Sequence, residues 1–187
     1  MYQDGKGYVH VYTGNGKGKT TAAIGLAIRA LGAGHKVYFC QFMKELNYSE
    51  HKILRKLEPG LRLEGFGKPY FLTPDDVDAG GRKPATAPFQ EYMAVTGEGM
   101  KRVREIMNDG AFDLVILDEV NVAVHFGLVA VERVTELIEN RKAHVEMVLT
   151  GRAAPRELIE RADLVTEFKE IKHYFQQGVG ARPGIDN

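Results

Sequence analysis

The feature that most constrains this chain is a glycine- and lysine-rich run at residues 13–21, which reads TGNGKGKTT. An apolar, β-branched segment precedes it at residues 8–12, and a segment with helical character follows it at residues 22–31. The order strand, glycine-rich turn, Lys-Thr and helix is the sequence form of a phosphate-binding loop, or P-loop. The pattern therefore predicts a nucleoside triphosphate site between the first strand and the first helix.

Each residue type in this run suits a phosphate ligand. Glycines adopt backbone angles that other residues avoid, so several amide N–H groups can surround one anion. The positive N-terminal end of the following helix points at the same anion. Lys19 can neutralise the outer phosphates and the Thr20 hydroxyl can bind Mg²⁺, which makes both of them candidate catalytic residues. The predicted nucleotide-binding residues are Gly14, Asn15, Gly16, Lys17, Gly18, Lys19, Thr20 and Thr21.

The run departs from the usual P-loop pattern at one position, because Thr13 stands where the first glycine is expected. An alternative interpretation is a glycine-rich turn that caps a helix and leaves Lys19 in solvent. The strand before the run and the helix after it favour phosphate binding over that alternative.

Composition excludes several classes of partner. The chain of 187 residues has 25 Lys and Arg against 25 Asp and Glu, so no basic field is available to attract nucleic acid or an anionic membrane. No apolar stretch is long enough to span a bilayer, and the first residues lack a signal-peptide pattern. The one cysteine, Cys40, excludes an internal disulfide and fits a reducing compartment. We therefore expect a cytoplasmic protein with no nucleic-acid or membrane partner.

Short β-branched runs alternate with helical segments along the chain. This alternation predicts a single α/β domain over residues 1–187, with a P-loop NTPase-like, mainly parallel central sheet and helices on both faces. A long loop is predicted at 67–87 and an irregular tail at 169–187. The predicted strands are 8–12, 36–42, 61–66, 112–117, 144–149 and 163–168, and the predicted helices are 20–32, 48–58, 88–108, 130–141 and 155–161.

Two acids, Asp118 and Glu119, follow the strand predicted at 112–117. P-loop proteins carry such a strand beside the first one, and its terminal Asp holds Mg²⁺ directly or through water. The two carboxylates and the Thr20 hydroxyl are therefore candidate metal ligands, whereas a helix cap is the alternative role for the acids. A glutamate in this position can also polarise a water molecule, so Glu119 is a candidate catalytic residue and suggests hydrolysis.

Arg152 is a further candidate for nucleotide binding, because it directly follows the strand predicted at 144–149. An arginine at the carboxyl end of a strand can reach a phosphate or a ribose. The alternative is a surface arginine at the entrance of a helix, and the residues alone do not separate the two interpretations.

Five separate blocks of the sequence carry the pattern of one known family. The first is residues 12–23, which include a second lysine at Lys17 and lack the same first glycine. Together the blocks span nearly the whole chain, and in their order they resemble the P-loop type of ATP:corrinoid adenosyltransferase. The other blocks are residues 41–44, 117–121, 150–152 and 172–186.

The resemblance implies transfer of the 5′-deoxyadenosyl group of ATP to cobalt(I) of a corrinoid, with release of triphosphate, in adenosylcobalamin synthesis or salvage. Since cobalt(I) is itself a strong nucleophile, no side-chain base is required. The protein must hold ATP with C5′ in line with the cobalt and stabilise the departing triphosphate. The resemblance also implies Mg²⁺, an external reductase or other electron donor, and a homodimer.

The segment after the third strand departs from many relatives, which carry a Phe-Thr-Trp-like sequence where aromatic residues meet the corrin face. This chain has no tryptophan, and its aromatic residues in that segment are Phe66, Tyr70 and Phe71. The resemblance implies that Phe66 matches the family's phenylalanine and that Tyr70 or Phe71 replaces the second aromatic residue that contacts the corrinoid. The alternative is that they anchor a loop onto the core.

Three other functions are open from the residues alone. A hydrolysing ATPase or switch protein would release phosphate from ATP without any corrinoid. A small-molecule kinase would release ADP and a phosphorylated product, and an ATP-binding module would have no activity. The sequence lacks the Asn-Lys-x-Asp motif that reads guanine, so ATP is favoured over GTP.

Overall fold

The apolar runs of the sequence form a six-stranded sheet in which every strand pairs in parallel. The structure is a computed structural model, and it describes residues 5–73, 76 and 86–187. All six predicted strands are confirmed, with ends within two residues of the prediction. The strands are β1 (Val9–Thr13), β2 (Val37–Phe42), β3 (Leu61–Phe66), β4 (Leu114–Asp118), β5 (Glu146–Thr150) and β6 (Leu164–Glu167).

The strand order across the sheet is β3-β2-β4-β5-β1-β6. The prediction that the strand ending in Asp118 lies beside the first strand is wrong, because β5 pairs with both β1 and β4 and separates them. Tyr12 on β1 is in register with Thr150 on β5, and Leu117 on β4 is in register with Leu149. Strand β5 therefore places the side chain of Thr150 between the P-loop and Asp118.

The helices connect these strands and confirm the alternating α/β pattern. The longest helix, α3 (Ala87–Asp109), begins at Thr86, whose hydroxyl accepts from the Phe89 N–H, and ends at Gly110 in a left-handed conformation. Sequence analysis missed α4, a six-residue helix directly after the acidic pair. The other helices are α1 (Lys19–Gly32), α2 (Ser49–Leu54), α4 (Val120–His125), α5 (Val131–Glu139) and α6 (Arg156–Arg161), with 3₁₀ turns at Arg55–Leu57 and Tyr174–Gln177.

Side chains alternate between the two faces of the sheet, as β4 illustrates. Leu114 and Ile116 pack in the layer formed with α1 and α2. Val115 and Leu117 pack in the opposite layer, which contains buried residues of α3, α4, α5 and α6. Because both faces of the central strands β2, β4 and β5 are covered, these strands are nearly continuous apolar runs, whereas the edge strand β6 is exposed along its length. Among the described residues, no helix is both long and apolar enough to cross a bilayer.

The two segments predicted to be irregular differ in what the structure describes. Within the loop predicted at 67–87, residues 74–75 and 77–85 lie outside the described residues, and the first turn of α3 already begins at residue 87. The tail at 169–187 contains one 3₁₀ turn and no α-helix or strand. It lies against the P-loop and therefore belongs to the candidate site.

Candidate nucleotide site

The P-loop is a tight turn between β1 and α1, and its shape depends on glycine. Gly14 has a φ of 94° and Gly18 a φ of 117°, a region that side chains with a Cβ rarely adopt. A Cβ atom at Gly14 would also collide with the carbonyl oxygen of Phe168. The Gly16 N–H donates to that same carbonyl at 2.7 Å. The loop is thus packed directly on the backbone that follows β6.

The Lys19 side chain folds back into the P-loop. Its Nζ donates to the carbonyl oxygens of Gly14 at 2.7 Å and Gly16 at 2.8 Å, and the residue is only 7% exposed. Burial lowers the pKa of the Lys19 ammonium below its usual value, and the carboxylate of Glu119 opposes that shift. The first turn of α1 therefore places a cation inside the P-loop.

Asp118 is fully buried at the end of β4, and side chains from three other elements hold its carboxylate. The Thr20 hydroxyl donates to Oδ2 at 3.1 Å, and Gln41 Nε2 donates to the same oxygen at 2.7 Å. The Thr150 hydroxyl donates to Oδ1 at 2.6 Å. Sequence analysis assigned no role to Gln41 and Thr150. The available signal was a polar residue at the carboxyl end of an otherwise apolar strand.

Glu119 points toward a second cation, Lys44. Lys44 Nζ lies 3.3 Å from Glu119 Oε1. Burial raises the pKa of Glu119, as does the charge of Asp118, while Lys44 opposes the shift. For Lys44, burial lowers the pKa, but the two carboxylates outweigh burial and the pKa is raised. Lys44 follows β2, and sequence analysis gave it no role of its own.

The oxygen atoms of Thr20 and Asp118 fit a magnesium ion. They lie together at the end of the P-loop, and hydroxyl and carboxylate oxygens are the ligands that Mg²⁺ prefers. In the described part of the chain, no group of three or more His, Cys, Asp or Glu residues could hold a metal. Mg²⁺ commonly takes only one or two protein ligands and completes its shell with phosphates and water. Glu119, the third predicted ligand, is paired with Lys44 instead.

The C-terminal tail is tied to the P-loop by a small charged cluster. Lys17 Nζ donates to the Ile185 carbonyl at 2.8 Å and lies 3.6 Å from Asp186 Oδ1. The Tyr174 hydroxyl donates to Asp186, and Arg182 Nε donates to Asp186 Oδ2 at 3.0 Å. The hydrogen bonds from Tyr174 and Arg182 hold the pKa of the Asp186 carboxyl well below its usual value. A tail predicted only as irregular thus forms a defined part of the site.

The P-loop, the start of α2 and the tail together line a cleft of about 700 Å³. Its wall includes all the P-loop residues predicted to bind a nucleotide except Gly14. A cleft of this size accommodates a nucleotide-sized ligand. The wall brings together Lys19 and Thr20 from the start of α1 with Glu119 and Arg152, which follow β4 and β5 at the carboxyl ends of these strands.

The sequence of this chain is similar to the sequences of known proteins. The family model for ATP:corrinoid adenosyltransferase BtuR/CobO/CobP matches residues 5–187. The chain belongs to this family. It is 35% identical over 184 residues to the corrinoid adenosyltransferase of Escherichia coli, covering 98% of this chain and 87% of the relative. Corrinoid adenosyltransferase CobA of Salmonella typhimurium gives the same values, and the Pseudomonas aeruginosa enzyme is 32% identical over 185 residues, covering 98% and 85%.

In this adenosyltransferase family member, Arg152 owes its position to the backbone around it. Gly151, directly after β5, has a φ of 133°, and a Cβ there would press on Asn121 and Val122 of α4. Ala153 also has a positive φ, 51°. The turn carries the exposed Arg152 side chain to the wall of the cleft, where it can reach a phosphate or a ribose.

The aromatic residues predicted to contact the corrinoid lie apart from the P-loop. Phe66, at the end of edge strand β3, packs on Phe42 with ring centroids 6.2 Å apart. The Tyr70 ring meets Tyr92 of α3 edge-on at 5.6 Å, whereas Phe71 is 68% exposed. Among the described residues, those that line the P-loop cleft do not include Phe66, Tyr70 or Phe71. Phe66 and Tyr70 thus make ring contacts with the core, whereas Phe71 is exposed.

Proposed function

We propose that this protein transfers the 5′-deoxyadenosyl group of ATP to the cobalt(I) of a reduced corrinoid and releases inorganic triphosphate. Membership of the ATP:corrinoid adenosyltransferase family supports the assignment of the substrates. The observation that carries the proposal is the P-loop cleft, in which Lys19 and the amide-rich turn are preplaced for a polyphosphate. Such a site stabilises a triphosphate as a leaving group, which is the demand of this reaction.

The chemistry places few demands on the side chains of the protein. The cobalt(I) electron pair forms the bond to C5′ of ATP, the C5′–O bond breaks, and its electrons leave with the triphosphate. Lys19, Arg152 and the P-loop amides would hold the phosphates and compensate the charge that develops on them. Mg²⁺ held by Thr20 and Asp118 would neutralise part of the same charge. The tail would exclude water from the cleft through its contacts with Lys17.

The resemblance of the sequence supports three further parts of the proposal. An external reductase or other electron donor would supply the electron that makes cobalt(I). The working form is a homodimer in the cytoplasm. The buried free thiol of Cys40 fits a reducing compartment. Light scattering of the purified protein measures the oligomeric state directly.

Phosphorus NMR of the reaction products tests the proposed reaction. The sample contains the protein, Mg-ATP and a corrinoid that has been chemically reduced to cobalt(I). Triphosphate is expected to appear in proportion to adenosylated corrinoid, and its formation is expected to stop when the corrinoid is withheld. ADP as the main product without a corrinoid would overturn the proposal and identify an ATPase. ADP together with a phosphorylated product would identify a kinase.

A further inference from the structure

Helix α3 packs over the carboxyl end of β3 at a buried glycine. Gly99 lies in the interior of α3, although glycine is among the least favourable residues for a helix interior. The side chain packed against it belongs to Phe66, the last residue of β3. We propose that Gly99 is a positioning residue for Phe66, and that its missing side chain sets the orientation in which the Phe66 ring meets the corrinoid. This inference rests on the proposed function.

The space beside Gly99 is already filled by two aromatic rings. A Cβ atom there would lie 2.7 Å from Cγ of Phe66 and 2.8 Å from Cε1 of Phe42. Both distances are well below the optimum for two carbon atoms, which is about 3.5–4.0 Å. Rotation of the Phe66 ring about χ2 leaves Cγ in place, so a ring flip would not relieve the contact. The Phe66 side chain would have to turn at χ1, or α3 would have to move away.

Of the two rings, Phe66 is the one with freedom to move. Phe42 is fully buried in β2, which has a strand on each side. Phe66 is half-buried in the edge strand β3, and it also lines a second cleft, of about 360 Å³, together with Glu98 and Arg102 of α3. Because interiors are close-packed, Phe42 has no space to enter, whereas the Phe66 ring can turn into the second cleft. A side chain at Gly99 would therefore redirect Phe66.

The backbone that carries Phe66 is fixed by close contacts on its other side. A Cβ atom at Gly67 would collide with the backbone of Lys44. The Phe66 carbonyl accepts from the Met43 N–H at 3.3 Å. With the backbone held this closely, the orientation of the ring depends on its χ1 angle, and Gly99 contacts the side chain at the atom that this angle places.

The same contacts place Phe66 beside the nucleotide cleft. Lys44, whose backbone packs on Gly67, lines the P-loop cleft. Ligands of open α/β sheets bind at the carboxyl ends of the strands, which is where β3 ends in Phe66. An aromatic ring offers a broad apolar face to a macrocycle, but a ring turned into the second cleft does not. Loss of that contact would leave an axial water or base on the cobalt and so hinder its reduction to cobalt(I).

The test compares two substrates in the full-length protein with Mg-ATP, a cobalt(II) corrinoid supplied with a chemical reductant and a corrinoid already reduced to cobalt(I). In Gly99→Ala, the ratio of the cobalt(II) rate to the cobalt(I) rate is expected to fall roughly ten-fold, within the about 10²-fold that a misplacement of about 1 Å can cost. ATP affinity, measured by equilibrium dialysis, is expected to stay within a few-fold. Since both rates come from one preparation, their ratio does not depend on how much of the variant is folded.

Gly97→Ala is the matched control, because Gly97 lies in the same helix two residues earlier. Among the described residues, a Cβ atom at Gly97 would have no neighbour within 4 Å beyond its own stretch of helix. The ratio of the two rates is expected to stay at the wild-type value. The midpoint of thermal unfolding is expected to drop by roughly 2–10 °C in Gly99→Ala, because of overpacking, and not to drop in Gly97→Ala.

A double-mutant cycle with Phe66→Ala separates positioning from a purely structural role. Once the Phe66 ring is absent, adding Gly99→Ala is expected to leave both rates within about two-fold of those of Phe66→Ala. Removal of the ring also relieves the closest contact of the new Cβ atom. This pair of variants therefore decides the result even when Gly99→Ala alone does not fold.

Three results would overturn the inference. A wild-type ratio in a folded Gly99→Ala protein would show that Gly99 does not position Phe66 for the reaction. Equal losses of the cobalt(II) and cobalt(I) rates would assign Gly99 a purely structural role. A further loss on adding Gly99→Ala to Phe66→Ala would show that Gly99 acts through another contact. Failure of the wild-type protein to adenosylate prereduced cobalt(I) would instead count against the proposed function.

Discussion

The P-loop part of the cleft, here called the phosphate end, and the aromatic segment at residues 66–71 both lie at the carboxyl ends of strands of one sheet. The two regions are built differently. At the phosphate end, polar groups from separate strands hold one another, as Thr20 and Thr150 do around Asp118. In the aromatic segment, Phe66 and Tyr70 make ring contacts with the core, and Phe71 extends into solvent. The first region is preorganised for charge, and in the second the aromatic side chains range from packed on the core to exposed.

The two regions correspond to two requirements of the proposed reaction, which are stabilisation of the leaving triphosphate and contact with the corrinoid. Stabilisation of a leaving triphosphate requires donors and cations fixed before the reaction, because their reorganisation would cost free energy in the transition state. Contact with a large apolar ring requires exposed aromatic area, and different aromatic residues can supply it. A segment without the Phe-Thr-Trp-like sequence can still supply aromatic area for contact with the ring. The glycines and Lys19 of the P-loop, in contrast, cannot be replaced by other residue types without loss of the phosphate site.

The largest expected effect is at the phosphate end. Lys19→Ala removes a buried cation that bonds two P-loop carbonyls, so turnover is expected to fall roughly 10²–10³-fold, with weaker ATP binding. Adenosylation of cobalt(I) corrinoid at subsaturating ATP measures this. Lys36→Ala, at an exposed position before β2 and away from the cleft, is the matched control. Near-normal activity of Lys19→Ala would show that the phosphate end is not preorganised to stabilise the leaving triphosphate.

An intermediate effect is expected in the aromatic segment. Phe66→Ala should leave ATP affinity within a few-fold, while adenosylation of a cobalt(II) substrate with a reductant falls more than that of prereduced cobalt(I). The reason is that an apolar ring against the corrin face excludes an axial water or base and so eases reduction to cobalt(I). The ratio of the two rates, measured by the visible spectrum of the corrinoid, checks this prediction.

Phe112→Ala is the matched control for Phe66→Ala. Phe112 is also half-buried and packs its ring on Tyr38 at 5.6 Å, but it precedes β4 at the opposite edge of the sheet. Each substitution is expected to lower the free energy of unfolding by about 1–2 kcal/mol. Equal losses of rate with cobalt(II) and cobalt(I) in Phe66→Ala would assign the residue to loop anchoring alone.

The smallest effect is expected in the tail that closes the phosphate end. Asp186→Asn weakens the contacts of Lys17 and Arg182 with the tail, so hydrogen exchange in residues 171–187 is expected to speed up and KM for ATP to rise a few-fold. Glu160→Gln, which also breaks an ion pair with an arginine four residues away, is the control. Unchanged exchange in Asp186→Asn would mean that the charged cluster does not hold the tail.

The sequence by itself determined the features that depend on neighbouring residues. The P-loop, its glycines and the helix that follows are one continuous segment, and local backbone geometry specifies their structure. The central strands were predictable because buried parallel strands are apolar runs, and the exposed edge strand β6 was predictable from its short β-branched segment. Asp118 and Arg152 were found because each follows such a run, and parallel strands bring their carboxyl ends to one edge.

Only the tertiary structure decided which distant groups meet. The insertion of β5 between β1 and β4 corrected the predicted strand order, and it placed the Thr150 hydroxyl on Asp118, 32 residues away. The pairing of Lys44 with Glu119 and the contact of Lys17 with Asp186 of the tail join residues that are still farther apart in sequence. No local pattern encodes such contacts, because they depend on strand order and register, which the packing of the whole sheet selects.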